Sequence, residues 1–535
     1  MRLVIFLVLI CAIFISSYSQ QFDIEFQQCY GGSDGEGSAD IIMLPDSSYI
    51  IFGLTCSDDG DISYNHGGCD FWLVKVSKYG ELIWERTYGG GDSESPANMA
   101  ITSEGDFILF GDTQSNNGDV SGNHGGFDYW VVKTDSLGNI LWQRCMGSSV
   151  NDLALQMKLD DEDNIYVIGE SHGDDGDITE PCDFIDFWIV KLNTDGDLLW
   201  DRTLGGTYID WGITILPTSD GGYIAGGYTT STDGDVNCTN PNIMHSDAWI
   251  VKLDSLNNIE WDHCYGGSNN ETASDIIETE DDGYLIAGQT NSDDGDVSGF
   301  HGTPGGEEHD IWVWKIDSIG NLEWQRCLGG TKDEGRAEIT YFGDGEYIIN
   351  AYTESNDGNV SGNHSIHYGD IWLLKIDNTG DLIWQQCFGS SEGEASSGID
   401  IISDIEIMVV GGVKKSDGSV DCDLFHPGLP LDGDMWIFKI FDTVSVYSPE
   451  YMIDPTRILM YPNPAEDLIY YFAHPVNSHF SLIVYDIYGR KMGEFEFLES
   501  QNQIEIDVSK FPSGFYVALL QNEKSLIRKD KFVVR

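Results

Sequence analysis

The amino-acid sequence predicts an all-β protein whose larger part is a ring of repeated sheets, and three observations lead to this prediction. An Asp-x-Trp-x-x-Lys motif occurs seven times. Each copy belongs to a stretch with four β-rich runs separated by turn residues. A Trp-x-x-Cys/Thr-x-Gly run follows only six copies, and a seventh version of it lies near the N-terminus. The predicted fold is therefore a seven-bladed β-propeller with four-stranded blades, followed by a small β-sandwich.

The seven motif copies set the length of the repeat. Their tryptophans are Trp72, Trp130, Trp188, Trp249, Trp312, Trp372 and Trp436. Successive copies lie about 60 residues apart, whereas familiar propeller blades have roughly 40 to 50 residues. One connection in each blade must therefore be long.

Each repeat predicts four strands, a to d, in chain order. In the first repeat these are residues 39–44, 49–55, 71–76 and 82–87. The a–b turns are short and polar, and most c–d turns contain a glycine, as tight hairpins require. Only the b–c connection is long, so we expect the b–c and d–a loops to emerge together on one face of the propeller.

The outer strands predict how the ring closes. Strand d carries its run at Trp84, Trp142, Trp200, Trp261, Trp324 and Trp384. The residues from Phe26 onward align with those from Trp142 onward, so the first mature segment should supply the outer strand of the last blade. A stacked solenoid would need atypical capping repeats at both ends, and the sequence shows none.

The pattern around strand d, as in residues 317–324, resembles the tryptophan-docking repeat of quinoprotein-like propellers. This resemblance supports the fold only, because those enzymes have eight blades and cofactor residues without counterparts in this sequence. The sequence also lacks Gly-x-Ser-x-Gly, His-Glu-x-x-His, a phosphate loop and a dinucleotide fingerprint. We therefore predict neither catalytic nor organic-cofactor residues, and an enzyme is the less favoured class.

The N-terminus predicts export. Residues 1–19 have the features of a signal peptide, namely Arg2 near the start, an apolar run over residues 3–15 and small residues before Gln20. No later stretch reaches the roughly 18 consecutive apolar residues of a membrane helix, so we expect no transmembrane segment. The propeller is expected to occupy residues 20–441.

The charge of the chain excludes one class of partner. The sequence has 90 Asp and Glu against 27 Lys and Arg, a formal net charge of −63. Such a protein does not bind nucleic acid by neutralising phosphates. Because 41% of its residues are hydrophobic and 12% aromatic, it can still bury large cores, and we predict a globular protein.

The last part of the chain differs in composition and predicts a second domain. Residues 457–535 contain ten acidic and nine basic residues, against 80 and 18 in residues 1–456. Residues 442–456, with two prolines, predict a linker. Five β-rich runs after the linker predict a small β-sandwich.

Four motifs of this second domain occur in a fixed order. They are Tyr461-Pro462-Asn463-Pro464, VYDIYGRK at 484–491, PSGFY at 512–516 and KFVV at 531–534. Together they closely resemble the type A C-terminal sorting domain of the type IX secretion system. The resemblance implies passage through the outer membrane of a Gram-negative bacterium, with residues 457–535 engaging the type IX machinery. It also implies a protein that is released or attached to the cell surface. An ordinary adhesive β-sandwich is the alternative.

The cysteines predict disulfides. Ten remain once Cys11 is removed with the signal peptide, an even number in an exported protein. Cys56 and Cys69 bracket one b–c loop at the ends of antiparallel neighbours, so we predict a disulfide between them. Cys182 and Cys238, in loops of adjacent blades, are a second candidate pair. The cysteines on equivalent d strands should lie too far apart to pair with one another.

The b–c loops carry the densest polar motif, Asp-Gly-Asp. Carboxylates that alternate with glycine can direct several oxygens inward, as a Ca²⁺ ion requires. The candidate ligands are Asp59, Asp61, Asp119, Asp175, Asp177, Asp233, Asp235, Asp294, Asp296 and Asp357. The alternative is an Asx-turn without an ion, because the spacing is not that of an EF-hand and no late glutamate follows. Calcium is the one cofactor that the sequence suggests.

The repeated Asp and Lys of the Asp-x-Trp-x-x-Lys motif predict structural roles, because a catalytic group acts once. Strand alternation places Asp70 and Trp72 on one side and Lys75 on the other, where its ammonium can reach a carboxylate or carbonyl. Four loop histidines on different blades are expected to hydrogen bond to the backbone rather than share a metal ion. They are His66, His124, His301 and His364.

Taken together, these observations predict an exported propeller that binds an extracellular carbohydrate or protein ligand on its b–c loop face. Aromatic side chains among glycine and asparagine suit sugar rings and hydroxyls; in this chain they are Tyr64, Phe127, Phe184, Phe300 and Tyr368. One alternative is a polysaccharide lyase or glycoside hydrolase, which the non-repeated insertions at residues 237–246 and 298–309 would favour. Another is a structural surface-coat or adhesion spacer.

Overall fold

The computed structural model describes residues 22–238, 244–365, 367–403, 405–422, 424 and 433–442. After residue 442 it describes residues 460–461, 468–472, 480–486, 490–497, 503–512, 514–522 and 526–534. The chain divides into a unit of Asp23–Phe441 and a unit that contains the strands after Asp442. The predicted signal peptide lies outside the described residues, as does the predicted linker apart from Asp442.

Four-stranded antiparallel sheets make up the larger unit, and each sheet runs in order from its strand a to its strand d. The first described strand of the chain is β1 (Phe22–Tyr30). Blade 1 contains β2 (Glu36–Met43), β3 (Tyr49–Thr55), β4 (Asp70–Val76) and β5 (Leu82–Tyr88). Blade 2 contains β6 (Glu94–Ile101), β7 (Phe107–Thr113), β8 (Asp128–Thr134) and β9 (Ile140–Met146). Blade 3 contains β10 (Asp152–Leu159), β11 (Ile165–Ser171), β12 (Asp186–Leu192) and β13 (Leu198–Leu204).

The remaining blades repeat this arrangement. Blade 4 contains β14 (Asp210–Pro217), β15 (Tyr223–Thr229), β16 (Asp247–Leu253) and β17 (Ile259–Tyr265). Blade 5 contains β18 (Glu271–Glu278), β19 (Tyr284–Thr290), β20 (Asp310–Ile316) and β21 (Leu322–Leu328). Blade 6 contains β22 (Glu334–Gly343), β23 (Glu346–Thr353), β24 (Asp370–Ile376) and β25 (Leu382–Phe388). Blade 7 contains β26 (Ala395–Ser403), β27 (Glu406–Val413) and β28 (Asp434–Asp442), completed by β1. The seven-bladed propeller is confirmed, and the described residues contain no helix.

The N-terminal strand closes blade 7, as predicted. β1 is hydrogen-bonded to β28, in the order β1-β28-β27-β26. Gln27 Oε1 accepts hydrogen bonds from Trp436 Nε1 at 3.0 Å and from the Asp421 amide at 2.9 Å. In each of the other six blades the motif tryptophan likewise donates to strand d, as Trp130 Nε1 does to Gln143 Oε1 at 2.9 Å. β1 therefore forms the same contacts as an outer strand that is continuous with its blade.

Aromatic side chains of the outer strands join each blade to the next. The indole of Trp142 lies on Gly196 in the c–d turn of blade 3, where an added Cβ would come within 3.0 Å of the ring. At the closing strand, the ring of Phe26 lies on Gly80 in the same way, 3.1 Å from the position of an added Cβ. In the seventh outer strand, Phe26 thus takes the place of the tryptophan. Gly80 and Gly196 are required by this close packing as well as by the turn.

Alternation along strand c divides its side chains between two neighbouring cores. Trp72 and Val74 pack with buried residues of blade 7, including Met408. Phe71 and Leu73 pack with buried residues of blade 2. All seven motif tryptophans are fully buried. The hydrophobic core therefore lies between the blades, and each sheet is covered on both faces.

The motif lysines bind carboxylates, as predicted. Each ammonium lies 2.5 to 3.3 Å from an acidic side chain in or beside the a–b turn of its own blade. The pairs are Lys75–Asp46, Lys133–Asp106, Lys191–Asp160, Lys252–Asp220, Lys315–Asp281, Lys375–Glu346 and Lys439–Glu406. Because every blade has this pair, its role is to fix the turn to strand c.

The described residues of the second unit form two antiparallel sheets. One has the order β29 (Met460–Tyr461), β30 (Leu468–Phe472) and β33 (Gln503–Asp507). The other has the order β32 (Lys491–Phe497), β31 (Phe480–Asp486), β34 (Gly514–Asn522) and β35 (Leu526–Val534). Leu482, Val484, Ile506 and Tyr516 are buried in this unit.

We expect Gln27→Ala to weaken the closure of the ring. The change removes the acceptor of Trp436 Nε1 and of the Asp421 amide, and an unmatched buried donor costs about 1–3 kcal/mol. Chemical unfolding of the full chain should show this loss, and hydrogen exchange in β1 and β28 should become faster. Gln28→Ala is the control, because Gln28 is exposed and its amide bonds to its neighbour's carbonyl at 3.5 Å. Equal effects of the two variants would contradict the role assigned to Gln27.

Candidate functional site

The b–c and d–a loops meet on one side of the propeller, which we call the loop face; in blade 1 it comprises residues 56–69 and 31–35. Hydrogen bonds join the two loops. The Asp61 amide donates to the Gly31 carbonyl at 2.9 Å, and Asp61 Oδ2 accepts from the Gly31 amide at 3.2 Å. Asp59 Oδ1 accepts from the Ser33 amide at 2.6 Å. The Asp-Gly-Asp motif thus fixes each b–c loop to the d–a loop that enters its own blade.

The other predicted calcium ligands form equivalent bonds. At the first position of the motif, four carboxylates accept a d–a loop amide at 2.7 to 2.9 Å: Asp175, Asp233, Asp294 and Asp357. At the second position, three accept a glycine amide at 3.2 to 3.4 Å: Asp119, Asp177 and Asp296. Asp235 donates its amide to the Gly205 carbonyl at 2.8 Å.

Two constraints require the central glycine of the motif. Gly176 has a φ of 67°, in the left-handed region that glycine tolerates without cost. A Cβ added at Gly176 would lie 2.2 Å from the Gly147 carbonyl oxygen. The turn and the close approach of the two loops therefore account for the recurrence of this glycine in the seven copies within the chain.

The carboxylates of the motif are distributed over the blades and are not gathered at one point. Among the residues that the structure describes, no group of three or more His, Cys, Asp or Glu side chains is arranged to hold a metal ion. In blade 6, Asn359 Oδ1 accepts the Gly329 amide at 3.2 Å, so an uncharged side chain performs the same role. These bonds favour the Asx-turn interpretation. Calcium binding by the ten aspartates stays a prediction.

Four loop histidines bond to the motif aspartate of strand c in their own blade. His66 Nδ1 lies 2.7 Å from Asp70 Oδ2, and His66 Nε2 lies 3.4 Å from Asp119 Oδ2 in blade 2. The same contact with the motif aspartate, at 2.5 to 2.8 Å, is made by His124, His301 and His364. Hydrogen bonds to Asp310 and Asp370 raise the pKa of His301 and His364 respectively. The partners are buried carboxylates rather than the expected backbone, because the motif aspartate lies directly beneath the loop.

Among the described cysteines, the structure forms three disulfides. It joins Cys56 to Cys69, the pair that the sequence predicts, with Cα atoms 4.1 Å apart. It also joins Cys29 to Cys422 and Cys238 to Cys264, each with Cα atoms 5.7 Å apart. The candidate pairing of Cys182 with Cys238 is therefore wrong. In both bonds the b–c loop folds over the outer strand of its own blade. The sequence pairs loop cysteines with loop cysteines and tests strand cysteines only against each other, so a bond between a loop and a strand is missed.

A cavity of about 810 Å³ lies between the innermost strands. In blades 1 and 2, strand a contains a β-bulge, and the polar residue that follows the bulge accepts a hydrogen bond from a backbone amide of the next blade. Asp40 Oδ2 accepts from the Met99 amide at 3.1 Å, and Asn98 Oδ1 accepts from the Met157 amide at 2.8 Å. Burial raises the pKa of Asp40 to about 6. This inner ring of hydrogen bonds holds the blades together and has no motif in the sequence that would reveal it.

Charged side chains that break the repetition also line this cavity. Burial, with Asp275 and Asp40 as further causes, raises the pKa of Glu338 to about 8. Burial lowers the pKa of Lys158, but Asp275, Glu338 and Asp40 outweigh it and raise the value above that of an ordinary lysine. Arg336 has a φ of 56° within β22. Sequence reasoning missed these residues, since their only signal is a departure from the other copies of strand a.

Aromatic side chains on the loop face are exposed. The exposed fraction is 59% for Tyr64, 56% for Phe184 and 51% for Tyr368, whereas Phe127 and Phe300 are half-buried. Of the non-repeated insertions, residues 298–309 are described and end with His309 Nδ1 at 2.9 Å from Asp333 Oδ1. The insertion at residues 237–246 lies partly outside the described residues.

Two of these loops are joined by a short β-bridge. Ile185 in the b–c loop of blade 3 pairs in parallel with Ile209 in the d–a loop that follows blade 3. The parallel pairing places Phe184 beside Tyr208, which is 44% exposed. In this register Phe184 and Tyr208 occupy corresponding positions on two neighbouring loops of the loop face.

A comparison with known protein families identifies the C-terminal part of the chain. Residues 459–535 match the family described as "Secretion system C-terminal sorting domain". The chain is therefore a repeat β-propeller protein with a type IX C-terminal sorting domain, which indicates secretion and a location at the cell surface or outside the cell. Within the described part of the chain, no helix has the length and apolar character needed to cross a membrane.

Solved structures resemble the chain at low sequence identity. Kuenenia stuttgartiensis hydrazine synthase is 12% identical over 71% of this chain and 93% of that chain, with a TM-score of 0.43. A protein of unknown function from Dyadobacter fermentans is 9% identical over 79% and 99%, with a TM-score of 0.36. Sqt1 from Chaetomium thermophilum is 10% identical over 79% and 100%, with a TM-score of 0.39. No match is found among curated proteins.

We expect Asp61→Asn to preserve the loop turn and Asp61→Ala to weaken it. Asparagine keeps an oxygen that accepts the Gly31 amide, as Asn359 does for Gly329. Alanine leaves that amide without its acceptor, so the free energy of unfolding should fall by about 1 kcal/mol. Chemical unfolding in the presence of a chelator measures both changes. Stabilisation of the parent protein by calcium that is lost in Asp61→Asn would show instead that the loop binds the ion.

We expect loss of the Cys29–Cys422 disulfide to cost about 2–5 kcal/mol of unfolding free energy. The bond joins residues 393 positions apart and so closes nearly the whole propeller into one covalent loop. The double variant Cys29→Ala/Cys422→Ala tests this by chemical unfolding. Its control is Cys238→Ala/Cys264→Ala, which opens a loop of only 26 positions and should cost less. A greater loss in the control would contradict the role of the closing bond.

Proposed function

We propose that this secreted propeller binds an extracellular carbohydrate or protein ligand on its loop face. The observation that supports the proposal is that Phe184 and Tyr208, exposed by 56% and 44%, precede the two bridged residues Ile185 and Ile209 and so occupy corresponding positions on neighbouring loops. Aromatic rings at fixed positions offer apolar contact area at a small entropic cost. Such anchors stack on sugar rings and dominate many protein interfaces.

Polar groups beside the pair suit the same kind of ligand. Thr207, next to Tyr208, is held by Asp233, whose Oδ1 accepts the Thr207 amide at 2.9 Å. The d–a loop is therefore fixed before any ligand arrives. A preformed loop loses little conformational freedom on binding, which favours affinity.

For the C-terminal part, we infer a sorting domain of residues 457–535 that a linker of residues 442–456 joins to the propeller. The near balance of ten acidic and nine basic residues after position 456 supports this boundary. We further infer that its two sheets pack as a β-sandwich and engage the type IX machinery. Buried Leu482 and Val484 in one sheet and Ile506 in the other supply apolar faces for such packing.

We expect Phe184→Ala/Tyr208→Ala to weaken ligand binding at least tenfold. The full chain is first screened against a panel of polysaccharides and extracellular proteins, and the tightest binder is then titrated by calorimetry. Loss of two aromatic anchors removes roughly 1.4 kcal/mol or more of binding free energy, which corresponds to that factor. Tyr79→Ala is the control, because Tyr79 is 62% exposed but lies in the c–d turn of blade 1, away from the loop face.

Other outcomes of this screen distinguish the remaining classes. An equal loss in Tyr79→Ala would contradict a site at Phe184 and Tyr208. Release of oligosaccharides from a polysaccharide, detected by mass spectrometry, would replace simple binding with a lyase or hydrolase activity. Absence of any binder from the panel would favour the spacer role.

A further inference from the structure

Each blade junction contains two carboxyl groups that face each other, and all of them are buried except Asp247, which is half-buried. One is the aspartate of the Asp-x-Trp motif on strand c, and the other is the acidic residue at the start of strand a in the next blade. Electrostatic interaction couples the two groups at every junction. The pairs are Asp70–Glu94, Asp128–Asp152, Asp186–Asp210, Asp247–Glu271, Asp310–Glu334, Asp370–Glu394 and Asp434–Glu36.

A glycine shows how closely the two carboxyl groups approach. A Cβ added at Gly205 would lie 2.3 Å from Asp186 Oδ1 and 2.8 Å from Asp210 Oδ2. The two oxygens can therefore be no farther apart than the sum of these distances. The glycine of every outer-strand run is placed in the same way between its pair of carboxyl groups: Gly31, Gly89, Gly147, Gly205, Gly266, Gly329 and Gly389.

The hydrogen bonds at the junction of blades 3 and 4 leave one oxygen without a partner. Asp210 Oδ2 accepts from the Gly206 amide at 2.7 Å and from Ser231 Oγ at 2.8 Å, and its Oδ1 accepts from Thr229. Asp186 is 4% exposed, and its Oδ2 accepts from the Asp183 amide at 3.2 Å. Asp186 Oδ1 is buried and has no hydrogen-bond partner. The same oxygen is without a partner in five further blades, at Asp70, Asp128, Asp247, Asp310 and Asp370.

Two ionised carboxylates cannot be buried side by side at low cost unless a cation lies between them. A proton on Asp186 Oδ1 removes one of the charges and makes the unpartnered oxygen a donor on the side that faces Asp210. We propose that each such junction binds one proton, shared by its carboxyl pair, so that the pair carries a single negative charge in the folded protein. A metal ion is a poorer fit, since each pair offers only two carboxylates and the described residues contain no metal-binding group of three.

The surroundings of the test junction contain acidic rather than basic groups. Burial first, and Asp210 and Asp183 next, raise the pKa of Asp186 to about 7. A hydrogen bond from Cys182 on the same loop lowers the pKa of Asp186 without outweighing burial, and the charge of Asp233 in blade 4 raises the pKa of Asp210. In four other blades a loop histidine bonds to the motif aspartate, but at this junction Asp183 takes that position. The junction of blades 3 and 4 is therefore the clearest place to count the proton.

The sign of the pH dependence follows from the raised pKa. Below the usual carboxyl pKa near 4, the folded and unfolded chains both hold the proton. Between that value and about 7, the pKa of folded Asp186, only the folded protein holds it. The stabilisation is thus fully present in acid and is lost as the pH rises through about 7.

Charge counting on the full chain tests the proposal. We expect Asp186→Asn to leave the electrophoretic mobility unchanged at about pH 6, below the pKa of about 7, because asparagine replaces a group that was already neutral. Asp195→Asn is the matched control: Asp195 is exposed in the c–d turn of the same blade, and its loss should shift the mobility by one charge. Equal shifts of the two variants would overturn the proposal.

Infrared spectroscopy of the unaltered full chain gives a second test that does not depend on the folding of a variant. At about pH 6 the protein should show the carbonyl stretch of neutral carboxyl groups, shifted in heavy water and stronger than Glu338 and Asp40 alone supply. The contribution of the junctions should be lost on titration above about pH 7, which leaves that of Glu338. A spectrum at about pH 6 that contains only ionised carboxylates would overturn the proposal, whatever the ligand of the loop face.

Discussion

The structure depends on the contact that each blade makes with the next. A single four-stranded sheet exposes two apolar faces, and the two faces of strand c pack into different cores: Trp72 towards blade 7 and Phe71 towards blade 2. Every sheet therefore needs two neighbours, and the last sheet must meet the first. The N-terminal strand completes this cycle, because Gln27 bonds to Trp436 across 409 positions of sequence. Closure of the ring by the chain ends follows from burial rather than from any single local signal.

Hydrogen bonds from polar side chains also stabilise the contact between neighbouring blades, at several distances from the propeller axis. Near the axis, Asp40 accepts an amide of blade 2; on the loop face, Asp59 and Asp61 accept amides of the d–a loop. Many of the acidic side chains behind the formal charge of −63 thus serve as acceptors for backbone N–H groups. Many of the acidic residues recur at equivalent positions of the blades, where they have structural roles. The repeated carboxylates are therefore a weaker guide to a ligand than the exposed aromatic residues Phe184 and Tyr208.

The sequence predicts those features that recur with a fixed spacing. Seven blades, the seventh outer strand at Phe26 and the structural lysines of the motif are all visible as repeated positions. Features that depend on contacts between unlike elements are not visible. The Cys238–Cys264 bond joins a loop to a strand, and the side chain of Asp40 reaches the next blade only because a bulge shifts the register of strand a. Phe184 and Tyr208 are aligned by one bridge, Ile185–Ile209, between loops of irregular sequence.

Peptide mapping of the full chain under non-reducing conditions tests the closure of the ring most directly. The placement of β1 in blade 7 predicts a peptide containing Cys29 linked to a peptide containing Cys422, although the two cysteines are 393 positions apart. Recovery of Cys29 linked to any other cysteine, or of both as free thiols in the freshly secreted protein, would contradict a propeller closed by its N-terminal strand.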